Sequence, residues 1–393
     1  MNSTFNIKYI TPTQDSLKEI GFDKSYIHKG INKHLFKTIK ISNLNCAQAN
    51  IIKQTALSLG TDCAVHKEVI TGKVELSDCI LSGSLSQLKK IAEKLKQQPF
   101  QLKQLSTEII QLLDNKLEQL CIRNNIINWQ TPIIMGILNI TPDSFSDGGK
   151  FNTVDKAIIH YKELMNDGAK IIDIGGESTR PYATAISPEE EIERVIPVIQ
   201  EIRKFDTNTI ISIDTRNSKT ALAAIDAGAD IINDISATEW DKEMINVAKA
   251  KNCPIILNHS KGSPSTMQDN PEYKDVINEI FDYFLKKTEK LIKAGINPSN
   301  IIIDPGLGFG KTTEQNIEII NRIGEFKSLN YPILIGHSRK NFIKEITEST
   351  NIEILDEATV HISQNLLTKG VNILRVHNVK KHNTLSKITQ LLI

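Results

Sequence analysis

No apolar run of about 18 residues occurs anywhere in the 393-residue chain, so no membrane-spanning helix is expected. Neither charge dominates: 47 Lys and Arg against 46 Asp and Glu leave a formal net charge of +1. That removes the global basic footprint of a nucleic-acid binder, although local basic pockets stay open. Cysteine is sparse, with Cys46, Cys63, Cys79, Cys121 and Cys253 scattered and no CxxC pair. An odd, dispersed set reads as reduced thiols in a cytoplasm, without a zinc or disulfide framework. The opening MNSTFNIKYI has no basic segment followed by an apolar core, so no signal peptide is expected. No fixed-period repeat is visible.

What is present fits a globular protein: 40% hydrophobic and 24% charged residues give ample core material. The length suits one large domain and a smaller one. From Pro132 onward, short β-rich apolar runs alternate with amphipathic stretches. The runs fall at 133–138, 170–174, 210–213, 230–233, 254–257, 301–303, 332–335 and 372–375. Helical patterns lie between them at 153–166, 188–204, 218–227, 241–251, 275–294, 314–322 and 355–368, with a last one at about 378–391. Continuous apolar strands alternating with helices imply parallel strands covered on the outside. Eight such units match a (β/α)8 TIM barrel, an α/β fold, though a doubly wound sheet also holds eight strands.

The strand ends favour the barrel. Asn139, Asp173, Asp214, Asn233, Asn258 with His259, Asp304, His337 and Arg375 each close a run. One such residue is ordinary turn punctuation; eight in series are better explained by convergence on the C-terminal mouth of a barrel, where active sites form. Residues 1–125 read differently, as a small α/β domain. Helical periodicity appears at 47–59, 85–97 and 105–119, strand-like stretches at 63–65 and 74–81, and one further strand at 38–41. A polar connector at 124–130 precedes the barrel, taken as 126–393. His66, Glu68 and Glu75 have no metal-site spacing and read as surface residues.

Two long loops carry Thr, Pro, Ser, Asp and Gly beyond what a minimal turn needs. The first, Gly136 to Gly149, begins with Asn139, whose side-chain oxygen suits a phosphate-bound Mg²⁺. The second, DIGGESTRP, runs from Asp173 through Thr179 and Arg180 to Pro181. Further on, DPGLGFGK ends at Lys311 and includes Phe309; its glycines alone are a weak phosphate-loop signal. Ser338 and Lys340 lie in GHSRK, Arg375 and His377 in RVHN. Barrels commonly bind phosphate near strands seven and eight. Asp173, Asp214, Asn233 and Asp304 form a set fit to hydrogen-bond a planar heterocycle rich in N–H donors. Arg180, Lys340, Arg375 and His377 form a cationic set fit for a phosphate-bearing substrate. Simple pairing of these acids with these bases is the plain structural alternative.

The segments NITPDSFSDGG, DIGGESTRP, SIDT, INDIS, DPGLGFGK, GHSRK and RVHN occur in the order and spacing that resemble the dihydropteroate synthases, over essentially all of 132–393. The resemblance implies condensation of 6-hydroxymethyl-7,8-dihydropterin pyrophosphate with p-aminobenzoate, giving 7,8-dihydropteroate and pyrophosphate with Mg²⁺. It implies that Asp214, Asn233, Asp304 and Lys340 bind the pterin with Asp173 nearby, the catalytic group being Asp173, Asp214, Asp304 and Lys340. Asn139, Arg180, Arg375 and His377 would hold the pyrophosphate and, through Asn139, its metal. Thr179, Pro181, Phe309 and Ser338 would meet the p-aminobenzoate. An aromatic amine is unprotonated near neutral pH, so no general base is assigned. A cytoplasmic enzyme acting on these small molecules is expected, with a homodimer left open.

Three positions depart from the family pattern: Tyr182 after STRP, Ser260 after the His of the fifth strand, and Asn341 after Lys340. They bear on loop closure, the pterin wall and one aminobenzoate contact. The first 125 residues resemble the extension of a long form. A related pterin-binding methyltransferase would lack the two long loops and the SRK lysine. A non-enzymatic pterin scaffold would lack the phosphate-handling Asn139, Arg375 and His377.

Overall fold

The computed structural model describes residues 7–114, 116–141, 150–177, 186–262 and 271–392. The chain divides into two compact units between Asn115 and Lys116.

The second unit is a closed parallel barrel. Its strands are β1 (Ile133–Asn139), β2 (Ile171–Gly175), β3 (Ile210–Asp214), β4 (Ile231–Asp234), β5 (Ile255–Asn258), β6 (Ile301–Asp304), β7 (Leu334–Ile335) and β8 (Ile373–Val376). Hydrogen-bonded neighbours run β6-β5-β4-β3-β2-β1-β8-β7, and a parallel bridge between Ile303 and Ile333 closes the ring. Helices α1 (Lys150–Asn166), α2 (Pro188–Phe205), α3 (Ser218–Ala227), α4 (Met244–Lys251), α5 (Val276–Lys293) and α6 (Thr313–Arg322) follow the first six strands in turn. Two helices, α7 (Asn341–Thr347) and α8 (Ile352–Thr368), follow β7, and α9 (Val379–Leu392) follows β8. The sequence periodicity reveals only the second of the pair after β7, because α7 is two turns long.

Alternation along the strands explains why they read as unbroken apolar runs. Ile172, Ile174, Ile211, Ile213, Ile232, Leu257, Ile303 and Ile335 share one core with the helices. Ile171, Ile210, Ile231, Ile256, Ile302, Leu334, Ile373 and Met135 form a second core inside the ring. Both faces are dry, and each such side chain contributes about 1.5–3 kcal/mol of burial.

The floor of the ring is an antiparallel hairpin, Leu120–Ile122 with Asn125–Ile127. Its Leu120, Ile122 and Ile127, with Trp129, join the interior core. Arg123 turns it at φ 52° and is anchored by Asp230 Oδ1 at 2.6 Å and Gly228 O at 2.8 Å. The polar connector expected at 124–130 is therefore half hairpin, and the unit boundary lies ahead of it rather than at 125/126. Three-residue strands are too short for a period-2 pattern to show in the sequence.

The first unit has a three-stranded antiparallel sheet in the order Phe36–Leu44, Ser77–Ser84, Asp62–Val65. Helices Cys46–Ser58, Leu85–Leu95 and Leu102–Leu113 bury Ile52, Leu88, Ile91, Leu95 and Leu102 against Cys63 and Leu81. Asn45 with Gln48, and Ser84 with Gln87, close capping boxes at the first two of these helices. The helix expected at 105–119 is Leu102–Leu113, the residues beyond Asn115 belonging to the barrel unit. His66 accepts from the Glu68 N–H at 3.2 Å, a local turn bond.

Candidate active site

Toward the C-terminal ends of the strands the interior layer changes from apolar to polar. Ile171 is followed two residues on by Asp173, Ile210 by Ser212 and then Asp214, Ile231 by Asn233, Ile256 by Asn258, Ile302 by Asp304 and Ile373 by Arg375. Alternation returns every second side chain to the same face, so these groups stand over the apolar interior. The ladder sets Gly175 beside Asp214, Asp214 beside Asn233, and Asn258 beside Asp304.

Arg375 lies between two carboxylates. Its Nε donates to Asp173 Oδ2 and its Nη2 to Asp214 Oδ2, each at 2.5 Å. Asn233 Nδ2 donates to the same Asp173 Oδ2 at 3.1 Å. The pairing is incomplete: Asp173 Oδ1 and Asp214 Oδ1 are buried without a hydrogen-bond partner among the described residues. Plain acid–base pairing thus accounts for half of each carboxylate and leaves acceptors for a ligand. Burial pushes the Asp214 carboxyl up to about 7, the Arg375 charge opposing this and Asp173 and Glu191 adding to it. The two acids raise the affinity of Arg375 for its proton against the effect of burial.

Asp304 sits across from this group, its carboxyl also raised by burial and held back by Lys340. Gly306 N–H donates to its Oδ1 at 2.8 Å and Asn258 Nδ2 to its Oδ2 at 3.1 Å. Burial brings the Lys340 ammonium down to about 7, with Asp304 pulling the other way. That ammonium donates to Leu307 O and rests 3.7 Å from the centre of the Phe309 ring. The loop after β6 comes this close because Gly306 and Gly308 adopt φ of +71° and +78°. A Cβ on Gly306 would strike the His259 carbonyl, and one on Gly308 would lie 2.8 Å from Lys340 Cδ.

The β7 and β8 loops are tied together. Ser338 Oγ is 3.0 Å from His377 Nδ1 and accepts from the His377 N–H at 3.3 Å. Arg339, at φ 58°, donates twice to Asp356 on α8, at 2.7 and 2.9 Å. Asn378 Nδ2 donates to the same Asp356 at 2.9 Å.

The structure thus brings Asp173, Asp214, Asn233 and Arg375 into one hydrogen-bonded group. Asp304, Lys340 and Phe309 form a second, and Ser338 with His377 a third. A Cβ on Gly175 would lie 3.4 Å from Asn139 Oδ1 and 3.5 Å from Asp214 Cβ, which places Asn139 at the same mouth. Gly336 would similarly meet Arg375 Cδ at 3.5 Å and Asp304 Oδ2 at 3.8 Å, linking the first two groups. Thr179, Arg180 and Pro181, with the departure at Tyr182, lie outside the described residues. Of the other departures, Asn341 opens α7 and accepts from Lys344 Nζ at 3.2 Å, and Ser260 Oγ donates to Gly262 O at 3.4 Å.

Two residues bonded to the mouth and its loops gave little sign in the sequence. Asn258 reads as one strand end among many. Lys311, at the end of the glycine-rich segment, resembles an anion ligand but is buried. Its Nζ meets Gly306 O and Phe309 O at 2.9 Å, His259 O at 3.2 Å and His259 Nδ1 at 3.0 Å. It ties the loop after β6 to the end of β5.

A family model described as pterin binding enzyme matches residues 135–377. The dihydropteroate synthase of Synechocystis sp. is 41% identical over 286 residues, covering 72% of this chain and 99% of that one. The chain belongs to the dihydropteroate synthase family of pterin-binding enzymes. The dihydropteroate synthase of Xanthomonas albilineans, solved with 4-aminobenzoic acid, superimposes with a TM-score of 0.66 at 35% identity, over 70% of this chain and 98% of that one. A probable bifunctional folylpolyglutamate synthase/dihydropteroate synthase of Haloferax volcanii is 36% identical over 348 residues. That match takes in 85% of this chain, more than Lys116–Ile393 contains, so the likeness reaches into the first unit. This chain spans 41% of the larger Haloferax protein. Dihydropteroate synthases are transferases of folate biosynthesis, and this chain condenses a pterin pyrophosphate with p-aminobenzoate, releasing pyrophosphate. No helix among the described residues is long and apolar enough to cross a membrane.

Proposed function

We propose that the unpartnered carboxyl oxygens at the barrel mouth are the pterin-recognition edge of this dihydropteroate synthase. The observation that carries the reading is the pair of buried, unsatisfied acceptors, Asp173 Oδ1 and Asp214 Oδ1, standing with Asn233 and Asp304 over one interior layer. A pterin presents N–H donors in a plane, the complement of such a set. Lys340 serves as the cationic partner of the ring's acceptor atoms, in place of its present bond to Leu307 O. Phe309, beneath Lys340, offers an apolar wall to the aminobenzoate, with Ser338, Thr179 and Pro181 as its further contacts.

The reaction forms a bond from the aromatic amine to the pterin methylene carbon and breaks the bond to pyrophosphate. Arg375, the Ser338–His377 pair and Arg180 are assigned to stabilise the negative charge of the departing group. Asn139 fits a metal held chiefly by phosphate oxygens and water: it supplies one hard oxygen donor at the mouth, and the described residues contain no group of three His, Cys, Asp or Glu able to cage an ion. Mg²⁺ bound there would neutralise charge on the pyrophosphate. Asp214 and Asp304 lie beside the positive charge left on the pterin as the leaving group departs. No side chain is needed as base.

The proposal extends to a cytoplasmic location, supported by the scattered cysteines, and to a homodimer, which light scattering would test. The assignment of the chemistry to 126–393, with 1–125 as an extension outside it, belongs to it as well. The direct test mixes purified protein, Mg²⁺, 6-hydroxymethyl-7,8-dihydropterin pyrophosphate and p-aminobenzoate. Mass spectrometry is expected to find 7,8-dihydropteroate, metal-dependent and lost on chelation; its absence with fresh substrates would overturn the reading.

A further inference from the structure

Asn258 is placed to act on Asp304. It ends β5 in register with Asp304 on β6, is buried, and among the described residues makes a single side-chain hydrogen bond, from Nδ2 to Asp304 Oδ2 at 3.1 Å. Its Oδ1 is buried with no partner among the described residues. An ionised carboxylate only accepts, so the amide nitrogen must be the atom that faces it. A buried amide with an unused acceptor weakens a fold, and an apolar side chain of similar size would fill this place at lower cost. Its presence here points away from packing and toward the carboxylate it holds.

Asp304 is gripped from two sides. Gly306 N–H holds Oδ1 at 2.8 Å and Asn258 holds Oδ2, which fixes the plane of the carboxylate. Each oxygen then keeps one lone pair for a ligand. A donor on a buried carboxylate also favours its charged form, the form that can accept from N–H groups. Both effects act on the ligand through Asp304.

We infer that Asn258 is a positioning residue that orients Asp304 toward the N–H edge of the pterin. The inference rests on the assignment of Asp304 to pterin recognition.

The test compares Asn258→Leu and Asn258→Asp with wild type and with Asp304→Asn, reading kcat/KM for the pterin pyrophosphate against pH and KM for p-aminobenzoate at saturating pterin. Asn258→Leu should lower kcat/KM for the pterin substrate about tenfold, the equivalent of roughly 1.4 kcal/mol, and move its acid limb to higher pH. Asn258→Asp keeps the shape and loses the donor while both acids are ionised. It should be impaired at pH 8 and recover toward wild type on acidification, as the two carboxyls come to share one proton. KM for p-aminobenzoate should stay within about twofold in both, by the same reasoning that only Asp304 is disturbed. A wild-type pH profile and pterin KM in either folded variant overturns the inference; if one fails to fold, the other decides, with Asn258→Ser as a third. If Asp304→Asn is itself fully active, the pterin assignment has failed; if it is inactive while the Asn258 variants are normal, only the inference about Asn258 has.

Discussion

Two carboxylates and one guanidinium at the barrel mouth make Arg375 both a structural and a chemical residue. Truncating it leaves Asp173 and Asp214 buried and unpaired, a situation that costs about 3–5 kcal/mol. Burial already raises the Asp214 carboxyl to about 7, and loss of the cation raises it further. A carboxyl whose folded pKa exceeds its unfolded one takes up its proton more readily in the fold. Stability therefore falls as pH rises from the unfolded value near 4 to the folded value near 7 or above. Arg375→Ala is thus expected to show most of its loss at pH 8 and little at pH 5, in urea titrations at both. The same variant should weaken pyrophosphate binding by about 2–5 kcal/mol, and an unchanged calorimetric affinity would take Arg375 out of the anion site. Asp304→Asn is expected to lose at least about a hundredfold in kcat/KM, the equivalent of roughly 2.7 kcal/mol, with melting temperature nearly unchanged. The amide keeps the shape but presents a donor where Asn258 and the ligand also present donors.

The loop after β6 shows how one element sets another's side chain. Gly308 is both left-handed, at φ +78°, and pressed against the stem of Lys340. Gly308→Ala should destabilise by about 1 kcal/mol through the backbone and should also displace Lys340. The expected kinetic signature is a several-fold rise in KM for the pterin pyrophosphate with KM for p-aminobenzoate little changed. A variant with normal steady-state constants would show that Lys340 is placed independently of this loop. The floor hairpin is the opposite case. Trp129 is buried in the interior core with Leu120, Ile133 and Ile373 and donates its Nε1–H to Glu118 O at 2.8 Å. Trp129→Ala should cost about 3–5 kcal/mol while both KM values stay at wild type below the lowered melting temperature. A selective loss of substrate affinity in the folded variant would contradict that separation.

Across the whole molecule three buried histidines set the acid limit. Burial lowers His337 to about 3, and lowers His382 and, by a larger margin, His259. Each is neutral in the fold and gains a proton on unfolding once pH drops below about 6.5. Stability is then lost as pH falls from there toward the folded values, at up to about 1.4 kcal/mol per pH unit for each histidine. Raised acids such as Asp214 slope the opposite way over this window, so the test is the difference between wild type and His337→Gln from pH 7 to 5. The variant should lose less stability on acidification, and identical slopes would mean that this ring is already charged in the fold. The division between Asn115 and Lys116 also sets where the chain can be cut. A fragment beginning at Lys116 keeps the hairpin and every mouth residue and is expected to retain synthase activity. One beginning at Asn124 loses Leu120 and Ile122 from the interior core and should be destabilised by several kcal/mol, by the burial of about two large side chains. If the longer fragment folds by circular dichroism but is inactive, the first unit takes part in the reaction.

Much of the barrel was legible because its physics is local. Both faces of each strand are buried, so the strands appear as apolar runs, and the step from Ile171 to Asp173 or from Ile302 to Asp304 marks the inner face by alternation alone. Asn139, Asp214 and Asn233 could be read as mouth residues for the same reason, and Lys340 from its place in the GHSRK segment that follows β7. The floor hairpin could not be read, since strands of three residues leave no period and the Leu120 and Trp129 contacts are made across the ring. Nor could the sequence say that Arg375 would be shared by two aspartates, that Lys311 would turn inward to four acceptors, or that Asn258 would hold Asp304. Apart from the bonds of Lys311 to Gly306 and Phe309 within its own loop, those pairings join residues far apart in the chain, at separations of a few ångströms that only closure of the barrel determines.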